Sequence, residues 1–318
     1  MTQKYKLMRK NATFTGQEKS VMAEMEIDST MLAGFVTGRR NDSHKNNYGH
    51  LLLVCGCDTM PGAASLATAA ALKSGCGLVT LHSSASAAGI SAVSNPSAIL
   101  SVDADCCFSR IPDNLAKYNA IAVGPGLGCA PQTAAALTEL LSHAKDAGTG
   151  MVIDADALNI IARNPEMIDL LPENSILTPH DGELARLISW KDNDDKILRT
   201  QELADRTRCA IISKGWHSRV FLPGMTQPYI NTSGNPGMAK GGSGDVLTGL
   251  AGGLLARGYR YDRAAMLAVW IHGFAGDACT AEYGMEAWNS KDLIDRLYKG
   301  FTNIGLKARI PGCTEHQK

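Results

Sequence analysis

Short runs of consecutive apolar residues alternate along this chain with longer stretches in which apolar positions recur every three or four residues. Leu51-Leu52-Leu53-Val54 is the first such run, and an apolar run without polar alternation marks a strand covered on both faces. The same pattern predicts strands at 77–82, 120–123, 151–153, 175–177 and 210–213, with an antiparallel hairpin element at 219–222. Between them the longer periodicity predicts helices over 61–74, 131–148 and 182–189, and one running from a charged turn at 191–195 to about 207. Pro131 in a first turn and Gly148 after a last one are the expected boundary residues. The C-terminal part reads as helical over 244–256, 261–282 and 290–306, and a short helix is expected at 28–35.

Strands alternating with helices predict an α/β fold with a mostly parallel sheet and helices on both faces. No linker or internal repeat interrupts the pattern. The expected organisation is therefore a flexible tail and lead-in helix over 1–40, followed by one domain over 41–310. Ligands of open parallel sheets bind beyond the carboxyl ends of the strands. The chain has turn chemistry at those ends: Gly56, Gly124-Pro125-Gly126-Leu127-Gly128, Asp154-Ala155-Asp156, Thr178-Pro179-His180 and Lys214-Gly215.

Charge and cysteine usage narrow the class. Thirty-one basic residues balance thirty-one acidic ones, so bulk charge offers nothing to nucleic acid or to a membrane surface. Nine cysteines, odd in number and without paired zinc-site spacing, read as reduced thiols. The first twenty residues are polar, with no stretch apolar enough for a signal peptide or anchor. A cytoplasmic protein is expected.

The strongest chemical signal is Gly241-Gly242-Ser243-Gly244-Asp245, set after Asn231-Thr232-Ser233-Gly234-Asn235-Pro236-Gly237-Met238-Ala239 and before an apolar helix. Glycines there leave consecutive N–H groups free to converge on an anion, and the following helix adds the positive end of its dipole. Asp245 could cap that helix or take a proton from a hydroxyl attacking phosphorus. A glycine-rich turn with an acidic cap is the plainer alternative, but it explains poorly so many small residues in a row. Gly124 to Gly128 lacks the spacing and the acidic partner of a dinucleotide fingerprint and reads better as a turn against a phosphate-bearing substrate. Asp154 and Asp156 are expected as structural support near the site. His272 and Asp277 are expected to pack or cap, and Trp216 and His217 to flank a base or simply to pack.

These motifs together resemble the ribokinase-like superfamily and, within it, the ADP/ATP-dependent NAD(P)H-hydrate dehydratases. The likeness runs from about His44 to Asp292 and includes Pro61-Gly62-Ala63-Ala64, Lys214-Gly215 and His272-Gly273-x-Ala275-Gly276-Asp277. The chain departs from the family at Asn46, Met60 and Asp181. The resemblance implies a three-layer sandwich and a substrate, NADHX or NADPHX, whose ring hydroxyl is phosphorylated by ADP or ATP and then lost as phosphate. It implies that Asp245 is the base and that Ala64, Gly126, Gly128, His180 and Asp245 contact the hydrate. Lys214, Gly215, Trp216, His217, Ser218, Gly241, Gly242, Ser243 and Gly244 would hold the nucleotide. Mg²⁺ is implied, with Glu183 acting on it indirectly; a first-turn glutamate complementing its helix dipole is the alternative. A homo-oligomer working with a separate epimerase is also implied. The same fold would serve a small-molecule kinase of the hydroxymethylpyrimidine or hydroxyethylthiazole type, and a nucleotide sensor without turnover is the rival from outside catalysis.

Overall fold

The computed structural model describes residues 25–305. Most of the expected flexible tail, residues 1–24, lies outside them, as do the last residues of the expected domain and the end of its last helix. Strands are β1 (Met25–Glu26), β2 (His50–Val54), β3 (Leu78–Ser83), β4 (Ile99–Val102), β5 (Ala120–Val123), β6 (Met151–Ile153), β7 (Ile176–Leu177), β8 (Ala210–Ser213), β9 (Arg219–Phe221) and β10 (Tyr229–Ile230). They form one sheet in the order β1-β10-β9-β8-β7-β6-β5-β2-β3-β4. β9, the expected hairpin element, runs antiparallel to both neighbours, while the other pairs are parallel.

The helices are α1 (Ser29–Ala33), α2 (Pro61–Lys73), α3 (Ala85–Ser94), α4 (Pro131–Ala147), α5 (Ala155–Arg163), α6 (Asp181–Leu187), α7 (Asn193–Thr207), α8 (Ser243–Ala256), α9 (Tyr261–Tyr283) and α10 (Ser290–Asn303). Their boundaries follow the expected signals. Pro131 opens α4, and Gly148 closes it at φ 65°, donating to the carbonyls of Ala144 and Lys145. Asp192 caps α7 through Asp195 N at 2.9 Å.

Each buried strand feeds two cores because its side chains alternate between faces. Leu51 and Leu53 of β2 join one core with Ala67 of α2, Leu250 of α8, Ile271 of α9 and Leu293 of α10. Leu52 and Val54 join the other with Leu137 of α4, Leu158 of α5 and Leu203 of α7. This is the three-layer α/β architecture that the strand and helix pattern predicts.

The lead-in segment divides differently from the expected 1–40 unit. Its residues from 25 onward belong to the packed body: Ile27 and Leu32 are buried in the first core, and Ile27 N donates to Ile230 O at 2.8 Å. Four elements, β1, β10, α3 and β4, carry no clear period. β1 and β10 are two residues each; β10 pairs with β9, and β1 adds to the sheet by pairing with β10. α3 is alanine- and serine-rich, and β4 is an exposed edge.

Chain order fixes where a ligand can enter. From β2 the sheet grows through β3 to β4 on one side, and through β5 to β8 on the other. The reversal between β2 and β5 opens a crevice at their carboxyl ends, beside Gly56 and Gly124 to Gly128.

α8 carries the glycine-rich turn at its start and lies unusually close to α2. A Cβ on Gly249 would come within 2.0 Å of Ala67 O. Substitution Gly249→Val should therefore push the helices apart and lower stability by about 2–3 kcal/mol, read as a lower urea midpoint with an unchanged m-value.

Candidate active site

The cradle at the start of α8 is built by a turn that only glycine permits. Gly242 caps the helix at φ 87°, and a Cβ there would meet Leu66 Cδ1 at 2.4 Å. Ser290 Oγ holds the turn from α10 by donating to Gly241 O at 2.7 Å. Among the described residues, the N–H groups of Gly241, Gly242, Gly244 and Asp245 have no protein acceptor. The cradle is thus left open for an anion.

Neighbouring side chains brace the loop that leads into it. Asp277 of α9 accepts Gly234 N at 2.9 Å and Asn235 Nδ2 at 2.8 Å. Lys240 Nζ donates to the carbonyls of Met285, Glu286 and Trp288, clipping the α9–α10 connection. His272 donates from Nε2 to Ser243 O at 2.9 Å; burial pushes its pKa down to about 4, so it is a neutral support. Both α9 residues act as the packing and capping groups expected of them, and His272 also lines the cavity described below.

A buried ion pair sits beneath the cradle. Lys214 Nζ, at the end of β8, lies 2.7 Å from Asp154 Oδ1 and 3.7 Å from Glu183 Oε2. The second Asp154 oxygen accepts Thr248 Oγ1 of α8 at 2.7 Å. Burial works against the charge of Lys214, but Asp154 and Glu183 outweigh it and raise its pKa. Asp245 has the opposite balance: burial, and then the Asp154 carboxylate, push its carboxyl up to about 6 against the pull of Lys214. Thr248 was invisible as a site residue in the sequence, although it falls three positions after Asp245 on the same helical face.

His180 caps α6. Its Nδ1 accepts Gly182 N at 2.9 Å, which leaves the ring proton on Nε2, 3.2 Å from Glu183 Oε1. Glu183 returns the cap by accepting His180 N at 2.8 Å. Its carboxylate is thus engaged by His180 and Lys214, and among the described residues no group of three His, Cys, Asp or Glu side chains could hold a metal.

The expected ligand residues fall into two sets. His180, Lys214, Gly215, Trp216, His217, Ser218, Ser243 and Gly244 line one cavity of about 700 Å³. Trp216 and His217 stack there with centroids 4.7 Å apart, and Trp216 is 68% exposed. Asp245 lies outside that wall, close enough to Asp156 and Cys55 to interact electrostatically with both. Gly241 and Gly242 form the rim of the turn. Gly126 and Gly128 lie at the end of β5, where Gly128 N donates to Asp156 Oδ2 at 2.8 Å. Ala64 of α2 is fully buried and lies against Gly56. The half-buried Ala63 is the alanine that packs against Gly126.

A family model described as NAD(P)H-hydrate dehydratase matches residues 51–299. The chain belongs to the NAD(P)H-hydrate dehydratase family. It is 36% identical over 273 residues to a bifunctional NAD(P)H-hydrate repair enzyme of Moorella thermoacetica, covering 81% of this chain and 50% of that protein. The chain thus spans about half the length of the bifunctional relatives it matches. It is also 36% identical over 257 residues to the ADP-dependent (S)-NAD(P)H-hydrate dehydratase of Neisseria meningitidis, covering 78% of this chain and 83% of that one. The ADP/ATP-dependent NAD(P)H-hydrate dehydratase of Bacillus subtilis, co-crystallised with ATP and Mg²⁺, superposes with a TM-score of 0.75 at 27% identity, over 89% of this chain and 99% of that one. These likenesses establish the ribokinase-like three-layer sandwich for this dehydratase-family chain.

Breaking the buried pair should be costly. Asp154→Ala leaves the Lys214 ammonium short of its nearest counter-charge and should lower stability by about 3 kcal/mol, measured by urea unfolding. Adding Lys214→Met should recover part of that loss.

Proposed function

We propose that this chain converts NADHX and NADPHX, the 6-hydroxy forms of the reduced cofactors, back to NADH and NADPH with ATP or ADP as phosphate donor. One observation carries this reading: a cradle of unbonded N–H groups stands beside a carboxyl whose pKa lies near 6. The family and the matched relatives support the same chemistry.

In this mechanism the nucleotide occupies the cavity of about 700 Å³, with its base against the Trp216–His217 stack and its phosphates toward Gly244 and Lys214. The hydrate occupies the crevice between the ends of β2 and β5, with Gly126 and Gly128 on its floor. Asp245 stands between the two and takes the hydroxyl proton as that oxygen attacks the terminal phosphorus. The open amides hold the phosphoryl oxygens as charge builds on them. The phosphate then leaves with the electron pair of the C–O bond, and loss of a ring proton restores the double bond. Phosphorylation matters because hydroxide is a poor leaving group and phosphate a good one.

The Asp154 and Glu183 carboxylates are taken up by Lys214, Thr248 and His180, so Mg²⁺, which keeps several waters, would be held mainly through the substrate phosphates. Glu183 would act on the ion through water, and Mg²⁺ when bound neutralises charge on the transferring group.

A homo-oligomer is part of this reading, supported by the exposed Ile99, Leu100 and Val102 of the β4 edge beside Ile90 and Val93 of α3. An epimerase partner is also part of this reading, in keeping with the bifunctional repair enzymes among the relatives. No helix among the described residues is long and apolar enough to cross a membrane. The eight free cysteines in this part of the chain support a reducing, cytoplasmic setting.

Incubation with acid-generated NADHX and either nucleotide should restore the absorbance of the reduced nicotinamide. No recovery with either nucleotide, together with phosphorylation of a hydroxyethylthiazole or hydroxymethylpyrimidine, would overturn the assignment in favour of a kinase. Asp245→Asn should lower kcat by about 10²–10⁴-fold while calorimetry finds nucleotide affinity little changed. A base works only when deprotonated, so kcat/KM should rise with pH through about 6 and level off above it. A profile flat between pH 5 and 7 would exclude Asp245 as the titrating group.

A further inference from the structure

Cys106 and Cys107 are adjacent in the β4–β5 connection, and the Cys107 thiol opposes ionisation of Cys106. Cys106 is exposed, while Cys107 is buried and accepts Gln132 Nε2 of α4 at 3.5 Å. The loop carrying them is wound around one carboxylate: Asp103 accepts the N–H groups of Asp105 and Ser109 at 3.1 and 2.9 Å and the Ser109 hydroxyl at 2.6 Å. Phe108 is buried just beyond the pair. The segment is therefore held on both sides of the two cysteines.

The peptide group that joins them has a second task. Its carbonyl, Cys106 O, accepts Asp58 N at 3.0 Å. Asp58 belongs to the 57–60 loop after β2, which Ser86 Oγ of α3 holds on its other side at 2.5 Å. Met60 of the same loop packs on Gly126: a Cβ on that glycine would lie 3.0 Å from Met60 Cβ. The Cys106–Cys107 peptide thus anchors the loop that walls the hydrate half of the crevice.

We propose that Cys106 and Cys107 form a reversible oxidation site whose closure to a vicinal disulfide releases Asp58 and loosens the 57–60 loop beside Gly126. The oxidant is a hydroperoxide. The Cys106 thiolate attacks the outer peroxide oxygen, giving a sulfenic acid and releasing the alcohol, or water from hydrogen peroxide itself. The Cys107 sulfur then attacks Cys106 sulfur, the S–O bond breaks, and the hydroxide leaves as water with the second thiol proton. Two thiols and one hydroperoxide yield one disulfide, one alcohol and one water. Adjacent Cα atoms stand about 3.8 Å apart across a trans peptide, closer than the usual disulfide span. Closure must therefore turn the peptide inside the ring, and that is the peptide Asp58 uses. The same strain makes the bond easy to reduce, as suits a switch. The Cys107 thiol beside it, and then burial, raise the pKa of Cys106, so oxidation should quicken as pH rises.

The effect on substrate rests on the hydrate-dehydratase reading above; the chemistry of the thiols does not. The full-length protein is treated with hydrogen peroxide, quenched with iodoacetamide and digested. The peptide containing both cysteines should lose two hydrogens and take up no alkyl group, and dithiothreitol should reverse this. Hydrogen exchange at the Asp58 amide should quicken about fivefold, the weight of one backbone hydrogen bond. KM for NADHX should rise by a similar factor, with nucleotide affinity unchanged. Cys106→Ser should keep the untreated activity and respond in neither readout. A disulfide to Cys57 instead, an unchanged Asp58 amide in the oxidised protein, or the same response in Cys106→Ser would overturn the proposal. So would an unchanged KM in a protein that turns over and carries the disulfide. A protein with no turnover in any state would count against the function assigned above, and the mass and exchange readouts would still decide the thiol site.

Discussion

The contact between Lys214 and Asp154 is the constraint around which the site is arranged. A carboxylate buried at the end of β6 cannot remain charged without a partner, and the lysine at the end of β8 supplies one at 2.7 Å. Thr248 takes the remaining oxygen, so one carboxylate ties two strand ends to α8. Glu183 approaches the same ammonium from α6 while capping its own helix against His180. The cradle inherits its position from this arrangement, since Gly244 in the first turn of α8 lies directly over the ion pair. The pair also tunes Asp245: the Asp154 carboxylate opposes ionisation of Asp245 while Lys214 favours it, and burial tips the balance upward.

Strand order supplies the second constraint. Because the sheet grows in opposite directions from β2 and from β5, the space between their carboxyl ends has no crossover helix to fill it. Gly56, Gly126 and Gly128 sit at those strand ends, and the loops there are held by single polar contacts such as Gly128 N to Asp156 and Asp58 N to Cys106 O. The cavity of about 700 Å³ takes in Ser243 and Gly244 at the start of α8, while Asp245 of the same turn faces Asp156 and Cys55. α2 and α10 hold that helix from behind through Leu66 and Ser290.

Much of this was legible before any tertiary information. β2, β5, β6 and β8 are unbroken apolar runs and appear where those runs fall, and α4 begins at its proline and ends at its glycine. The turn motifs fall at the carboxyl ends of these strands. What stayed hidden lacks a local period: β10 is two residues long, β1 depends on pairing with β10 across the fold, α3 is too rich in small residues to carry a stripe, and β4 is an exposed edge. Which of the adjacent Ala63 and Ala64 lies under Gly56 and which against Gly126 depends on how α2 is rotated on the sheet, and that rotation is a packing outcome.

By itself the sequence determined the α/β class, the glycine-rich start of α8 and the set of polar residues at strand ends, because these follow from local periodicity and from the backbone freedom of glycine. Tertiary structure alone decided which of those residues meet. Lys214 and Asp154 are sixty positions apart, Thr248 and Asp154 ninety-four. No spacing rule links such pairs; only the parallel sheet, by lining up its strand ends, brings a buried charge to its counter-charge.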